Sequence, residues 1–96
     1  MSENKNDSSW QDLIELFSAV EDEQSIEKLL QVLFTHDERN DIAKRVQIIR
    51  SLLRGDKTQR QLAQDLNVSI AKITRGSNAL KSIDDEVRAL LNKTIL

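Results

Sequence analysis

The sequence has no cysteine, no proline and no tyrosine, and it contains two glycines and one histidine among its 96 residues. A chain of this length buries only about two-thirds of the surface that its unfolded form exposes. Small domains therefore draw on disulfides, metals or a partner subunit for additional stability. The missing cysteines exclude disulfides and fit a reducing compartment, and one histidine offers little for a metal site. Association with a second chain remains as the expected source of stability.

Long apolar runs are also missing. No uncharged run approaches the ~18 residues of a membrane span, and the polar N-terminus lacks the apolar core of a signal peptide. The scarcity of proline and glycine favours long helices, and 39% hydrophobic with 31% charged residues is typical of a globular protein. We therefore expect an all-α cytoplasmic protein with no membrane partner. Residues 10–96 are predicted to form a single domain behind a disordered polar arm at residues 1–9.

The charges are strongly segregated although the formal net charge is only −2. Residues 1–43 contain eleven acidic and three basic residues, whereas residues 44–81 contain nine basic and two acidic residues. The middle segment is therefore cationic while the rest of the chain is anionic. Lysine and arginine on ordinary exposed helix faces could give this pattern. A phosphate-bearing partner such as DNA explains it more specifically, because such partners bind through charge neutralisation.

Hydrophobic residues recur at helical spacing in about six segments. Two capping boxes open the third and fourth helices, formed by Thr35 with Glu38 and by Thr58 with Gln61. The other predicted boundaries are starts at Ser8 or Ser9, Ser25, Ser69 and Asp84, and ends at Gly55 and Asn67. The third helix is predicted to place Ile42, Val46, Ile49, Leu52 and Leu53 on one face. Because the first two helices are apolar enough to need cover, we expect dimerisation through them.

A helix-turn-helix motif is predicted at about residues 58–78. Asn67 occupies the turn position, where the backbone needs a positive φ. The predicted inward positions are Leu62, Ala63, Leu66, Val68 and Ile73. Two short amphipathic helices joined by a tight turn also occur in helical proteins that bind no DNA. The coincidence of this motif with the cationic segment favours DNA reading, in which the second helix enters a major groove.

Two residues in this region have more than one interpretation. Gly76 weakens a helix by about 0.8–1 kcal/mol relative to alanine, which either the close approach of another group or a simple bend would explain. Arg45 falls within the apolar stripe of the third helix. It is either an arginine whose charged end reaches water at the edge of the core, or a guanidinium held over a cavity for an aromatic or carboxylate ligand.

The sequence resembles the bacterial tryptophan repressor family. The strings Thr-Gln-Arg-Gln at residues 58–61 and Ile-Thr-Arg-Gly-Ser-Asn-Ala-Leu-Lys at residues 73–81 carry the resemblance, which extends more weakly from Trp10 to about Leu91. The resemblance implies an intertwined all-helical homodimer that takes L-tryptophan as its corepressor. The liganded dimer would then bind a palindromic operator of tryptophan-related genes.

The resemblance also assigns ligand-binding residues. Arg45 and Arg75 match the two arginines that enclose the indole ring, and Gly76 matches a glycine beside the ligand. Thr35 matches a threonine at the site, and the backbone carbonyls of Val32 and Phe34 match those that receive the ligand ammonium. Two departures stand out: Ala79 replaces a common serine near that ammonium, and Phe34 replaces a leucine. The missing hydroxyl predicts weaker corepressor binding or an altered ligand preference.

The DNA-reading residues carry over one by one. Gln59 and Arg60 open the first helix of the motif, and Arg60 can pair with guanine. The recognition surface comprises Ile70, Ala71, Lys72 and Thr74, and the phosphate contacts are Arg54, Asn78 and Lys81. Lys72 replaces a threonine that is common in the family, and Ala63 replaces a common lysine. We expect these two changes to alter which operator sequence is bound and to leave the DNA-binding activity itself in place.

Two other functions remain open at this point: a helical interaction module whose cationic face meets an acidic protein, and a helix-turn-helix regulator without tryptophan control. Catalysis is not expected, because the sequence contains no nucleophile motif and no glycine-rich phosphate loop. His36 falls inside a capping box, away from any cysteine or carboxylate cluster with metal-ligand spacing. We therefore expect no metal site and no cofactor other than L-tryptophan as corepressor.

Overall fold

The computed structural model describes the backbone of residues 2–96 and the side chains of residues 8–96. Within that part of the chain it contains six α-helices and no strand, which confirms the predicted all-α fold. The helices are α1 (Ser2–Ser18), α2 (Glu23–Leu33), α3 (His36–Arg54), α4 (Gln59–Leu66), α5 (Ile70–Lys81) and α6 (Asp85–Ile95). None of these described helices combines the length and the apolar character that crossing a membrane requires.

The first two helices begin earlier than the sequence pattern predicts. The backbone of α1 starts at Ser2, so the prediction that Ser8 or Ser9 caps it is wrong. A serine caps a helix only where the backbone before it is not helical, and here the helix continues on both sides. Met1 and the side chains of residues 2–7 lie outside the described residues, and the disordered arm at residues 1–9 stays a prediction.

The second helix is capped by Asp22 and not by Ser25. The Asp22 carboxylate accepts hydrogen bonds from the Ser25 backbone N–H at 2.8 Å and from the Ser25 hydroxyl at 3.0 Å. Asp22 has an extended backbone that places its carboxylate over the first turn, whereas Ser25 already lies within the helix. Ser25 therefore donates to the cap instead of providing it.

The remaining predicted caps are confirmed. Thr35 and Glu38 exchange hydrogen bonds of 2.9 and 3.1 Å at the start of α3, and Thr58 and Gln61 exchange bonds of 2.8 and 3.1 Å at the start of α4. The side chains of Ser69 and Asp84 cap α5 and α6. Asn67 has the left-handed backbone required in the motif turn, with φ of 54°, and Gly55 has φ of 67° after α3. These local signals fix where α3 to α6 begin.

Cationic side chains satisfy the carbonyl groups at the C-terminal ends of four helices. Arg39 donates to the Phe34 carbonyl after α2 at 2.8 Å. The equivalent bonds run from Lys44 to Leu66 of α4 at 3.2 Å, from Arg88 to Leu80 of α5 at 2.8 Å, and from Arg50 to Ile95 of α6 at 2.7 Å. Each cation meets carbonyls that have no partner within their own helix and that form the negative end of the helix dipole.

The chain divides into two compact units, Met1–Arg39 and Asn40–Leu96. In the first unit, none of the described side chains is buried. The second unit contains the core, a cluster of Ile48, Leu62, Ala63 and Ile73, with Leu52, Leu66 and Val68 packed against it. All five inward positions predicted for the helix-turn-helix motif therefore belong to the core or contact it. The single domain predicted over residues 10–96 stays a prediction.

The predicted apolar face of α3 is partly buried, since Ile49, Leu52 and Leu53 are half-buried whereas Ile42 and Val46 are exposed. Ile48, which the pattern did not single out, is the buried residue of this helix, and it is only 2% exposed. Ile42 and Val46 are 39% and 41% exposed. The helix has apolar residues on more than one side, and the second unit covers the side that contains Ile48. The side that contains Ile42 and Val46 is only partly covered in a single chain.

Candidate ligand pocket and nucleic-acid interface

A pocket in the second unit lies between α3 and α5. Its lining residues are Asp41, Lys44, Arg45, Ile48, Lys72 and Arg75. Arg45 and Arg75, which the family resemblance assigns to ligand binding, thus face the same space from two different helices. The buried Ile48 gives this space an apolar surface beside the two guanidinium groups. A planar aromatic ring suits such a site, since guanidinium groups stack on aromatic faces and Ile48 can contact a ring edge.

The pocket is electrostatically positive because four of its lining residues are cations and one is a carboxylate. The carboxylate, Asp41, lies 3.6 Å from the ammonium nitrogen of Lys72, and the two side chains are 65% and 49% exposed. This pair joins α3 to the first turn of α5, where the motif is predicted to read DNA. The pocket can therefore hold an anionic group, and its rim contains a residue of the predicted DNA surface.

Gly76 is explained by a contact between α5 and α3. A Cβ atom added to Gly76 would lie 2.9 Å from Cγ2 of Ile48 and 3.5 Å from Cδ1 of Leu52. Gly76 is buried, so it lies on the inward side of α5. Of the two explanations that the sequence left open, the structure supports the close approach of another group, and that group is Ile48. A role beside the ligand stays a prediction.

Four other predicted ligand residues do not line this pocket. Ala79 is exposed, one turn after Arg75 on α5. Thr35, Val32 and Phe34 belong to the first unit, where the Thr35 hydroxyl caps α3 and the Phe34 carbonyl accepts from Arg39. The Val32 side chain is 81% exposed. Their participation in ligand binding stays a prediction.

The predicted DNA-reading residues all lie on accessible surface of the second unit. Each of the following is exposed: Arg54, Gln59, Arg60, Ile70, Ala71, Lys72, Thr74, Asn78 and Lys81. The two helices of the motif pack against each other, and the Thr74 hydroxyl donates to the Gln59 side-chain oxygen at 3.4 Å. This bond links the first turn of α4 to α5, so the two predicted reading segments form one surface.

The structure separates the nine cations of residues 44–81 into two groups. Lys44 and Arg50 hold helix ends, Lys57 pairs with Asp65 at 2.5 Å, and Lys72 pairs with Asp41. The other five, all exposed, are Arg45, Arg54, Arg60, Arg75 and Lys81. The cationic segment therefore owes part of its composition to helix capping and ion pairing.

Asp41, Lys44 and Ile48 line the pocket although neither the sequence pattern nor the family resemblance pointed to them. A signal for them was present, because Asp41, Arg45 and Ile48 follow the spacing of one helix face. The spacing does not reveal that this face meets Lys72 and Arg75 of α5. Within the described part of the chain, no group of three histidine, cysteine or carboxylate side chains is placed to hold a metal ion.

Comparison with known proteins gives matches over almost the whole chain. The family model described as Trp repressor protein matches residues 8–95. A Trp operon repressor homolog of Chlamydia trachomatis serovar D is 44% identical over 92 residues, covering 96% of this chain and 98% of the relative. A protein of the same name from Vibrio campbellii is 46% identical over 96 residues, covering 100% of this chain and 95% of the relative.

A third relative, the Trp operon repressor homolog of Vibrio parahaemolyticus serotype O3:K6, is 48% identical over 82 residues, covering 85% of this chain and 80% of the relative. The family model and the relatives all cover the pocket and the helix-turn-helix motif described above. With this extent and level of identity, the chain belongs to the Trp repressor protein family.

Proposed function

We propose that this protein is a tryptophan-dependent transcriptional repressor of the cytoplasm that binds palindromic operator DNA as a homodimer. One observation supports the proposal most directly. Arg45 of α3 and Arg75 of α5 line the same pocket, next to the buried Ile48. The same helix that supplies Arg75 also supplies the exposed residues of the predicted recognition surface. A ligand in the pocket and DNA on the surface would therefore both contact α5.

In the proposed mechanism, L-tryptophan binds with its indole ring between the guanidinium groups of Arg45 and Arg75. The ligand fixes α5 relative to α3, and a dimer then presents two recognition helices to successive major grooves. Dimeric helix-turn-helix proteins require a separation of about 34–36 Å for this. Tryptophan would raise DNA affinity because it binds more tightly to the arrangement that has this separation.

A second copy of the chain is the proposed cover for apolar surface on the first unit. Trp10 and Val32 are 63% and 81% exposed, and Ile14 and Leu16 are 42% and 44% exposed. Apolar surface that is rimmed by polar residues usually marks an interaction site. Since this unit has no buried side chain among those described, its helices need another surface to form a core.

The test is a DNA mobility-shift titration with and without L-tryptophan. The DNA is a palindromic fragment selected by the purified protein from a random pool, and we expect tryptophan to tighten binding about 5- to 150-fold, the usual range of allosteric coupling. Arg45→Ala and Arg75→Ala should abolish most of this gain. Lys93→Ala, which removes an exposed cation from α6, is the matched control and should retain it.

The same titration separates the two other functions. Equal DNA affinity with and without tryptophan would favour a regulator that has no tryptophan control. Absence of DNA binding at low salt, where phosphate contacts are strongest, would favour a protein-interaction module. Tightening by tryptophan that persists in both arginine variants would contradict the proposed ligand site.

A further inference from the structure

A side chain of the pocket also holds the turn of the helix-turn-helix motif. The Lys44 ammonium of α3 donates a partly buried hydrogen bond of 3.2 Å to the carbonyl of Leu66, the last residue of α4. The N–H groups of the next two residues, Asn67 and Val68, bond to carbonyls earlier in α4. Lys44 therefore supplies a hydrogen bond to this helix end from a different helix.

The start of α5 is attached to the same part of α3. Asp41, three residues before Lys44, lies 3.6 Å from the ammonium nitrogen of Lys72 in the first turn of α5. Asp41 and Lys44 both line the pocket, and their contacts lie on either side of the motif turn. The pair of Asp41 and Lys72 is exposed, and exposed pairs contribute little stability. The bond from Lys44 to Leu66 is the shorter and less exposed attachment of the two.

A ligand in the pocket contacts the side chain that forms this attachment. Lysine has a flexible stem with considerable rotamer entropy, so without a ligand Lys44 can leave the Leu66 carbonyl. A ligand packed against the stem excludes the rotamers that enter the pocket and favours the one that reaches Leu66. The ammonium group has three N–H donors, so the bond to Leu66 is compatible with a contact to the ligand.

We propose that Lys44 is a positioning residue that transmits ligand occupancy from the pocket to the turn of the motif. The inference rests on the proposed function, since it names a residue that couples the same pocket to DNA binding. A ligand that fixes Lys44 also fixes the end of α4 and the turn at Asn67, and with them the direction in which α5 begins. DNA that holds the motif in this arrangement tightens ligand binding by the same factor, as thermodynamic linkage requires.

DNA titration without L-tryptophan and at saturating L-tryptophan measures the coupling, which is the ratio of the two DNA affinities. Lys44→Met keeps an unbranched stem but removes the donor, and it should lower this ratio about threefold or more. Lys44→Arg retains a donor and should keep the ratio within about twofold of that of the unmodified protein. Lys93→Met, the same change at an exposed position of α6, is the matched control and should alter neither affinity.

The ratio distinguishes this role from two simpler ones. If Lys44 only contacted DNA phosphate, Lys44→Met would weaken DNA binding equally with and without L-tryptophan. If Lys44 only contacted the ligand, the variant would lower ligand affinity in calorimetric titration and leave the ratio at saturation unchanged. Either result would overturn the inference.

Amide hydrogen exchange tests the turn in the unmodified protein. L-Tryptophan should slow exchange of the Asn67 and Val68 amides severalfold, because opening of the turn becomes less frequent. Lys44→Met should lose most of this protection. If L-tryptophan tightens DNA binding but leaves these amides unchanged, the inference is wrong, and this holds even if Lys44→Met does not fold. If L-tryptophan does not tighten DNA binding of the unmodified protein, the proposed function fails instead.

Discussion

Gly76 and Ile48 show how one residue pair sets the spacing of two helices. The missing Cβ of Gly76 allows Cγ2 of Ile48 to lie where a side chain would otherwise be. Helix propensity alone favours alanine at this position by about 0.8–1 kcal/mol. The close packing between α3 and α5 opposes that preference, and the two contributions can be separated by mutation.

Gly76→Ala should destabilise the protein by about 1–3 kcal/mol, because the clash with Ile48 exceeds the gain in helix propensity. Adding Ile48→Leu should restore part of the loss, since leucine has no methyl branch on its Cβ. Ile48→Val keeps that branch and should give no such recovery. Urea unfolding at a fixed protein concentration measures all four proteins. A Gly76→Ala protein as stable as the unmodified one would contradict the packing explanation.

Ala79→Ser should raise the affinity for L-tryptophan about two- to tenfold, because the hydroxyl adds one hydrogen-bond partner worth about 0.5–1.5 kcal/mol. Isothermal titration of the purified protein without DNA measures the effect. Ala71→Ser makes the same chemical change on α5 at a position predicted to contact DNA, so its ligand affinity should not change. Equal affinity in Ala79→Ser and the unmodified protein would remove Ala79 from the ligand site.

At the scale of single helices, capping interactions give the first unit its measurable response to pH. The Ser25 backbone N–H, followed by the Ser25 hydroxyl, lowers the pKa of Asp22 below its ordinary value of 3.8. Because the pKa of Asp22 is lower in the folded than in the unfolded protein, the ionised cap stabilises the fold at every pH above the unfolded-state pKa. That contribution is lost as the pH falls through the folded pKa.

Titration of the Asp22 carboxyl carbon by nuclear magnetic resonance should therefore give a midpoint below 3.8. In Asp22→Asn, which retains a capping oxygen without a titrating charge, the loss of stability between pH 4 and pH 2 should be smaller than in the unmodified protein, as followed by urea unfolding. A midpoint at or above 3.8 would show that the carboxylate does not hold these bonds in solution.

The helix boundaries show which features sequence alone can predict. The reciprocal bonds of Thr35 with Glu38 depend on residues three positions apart, so a short pattern contains all the information. The start of α2 was misplaced because Asp22 and Ser25 are both good caps, and only the backbone conformation distinguishes them. The fold class and the motif core follow from periodicity in the same way.

The pocket was only partly predictable. Arg45 and Arg75 were assigned through the family resemblance, and the structure places both on one pocket. Asp41 was missed because its role depends on α3 facing α5, and helical spacing does not identify a neighbouring helix. The burial of Ile48 rather than Val46 was missed for the same reason, since α3 has more than one apolar side.

Taken together, the described residues leave many large apolar side chains at least partly exposed in a single chain. They occur on α1, α2, α3, α5 and α6, and Leu90 is 61% exposed. A chain of 11.0 kDa with so few buried side chains gains substantial stability when these faces are covered by a second copy, because the free energy of burial increases with apolar area. Folding and dimerisation are then coupled.

Sedimentation equilibrium should accordingly give twice the chain mass, and the melting temperature should rise with protein concentration. Val32→Glu, which places a charge on an apolar α2 surface, should weaken the dimer and lower the melting temperature at low concentration. Gln31→Glu adds the same charge at the neighbouring exposed position and should have a smaller effect. A single chain mass at every concentration would contradict the homodimer.

The contact of Ile48 with Gly76 also limits how α5 can move. If α5 slid along α3, the Ile48 methyl group would be forced out of the space at Gly76. If α5 tilted about this point, the two residues would stay in contact. Lys72 and Ile70 lie toward the start of α5, about 6–9 Å from Gly76 along the helix axis at 1.5 Å per residue. A tilt of about 10° would then displace the start of the helix by about 1.5 Å, and the buried Ile73 by roughly half as much.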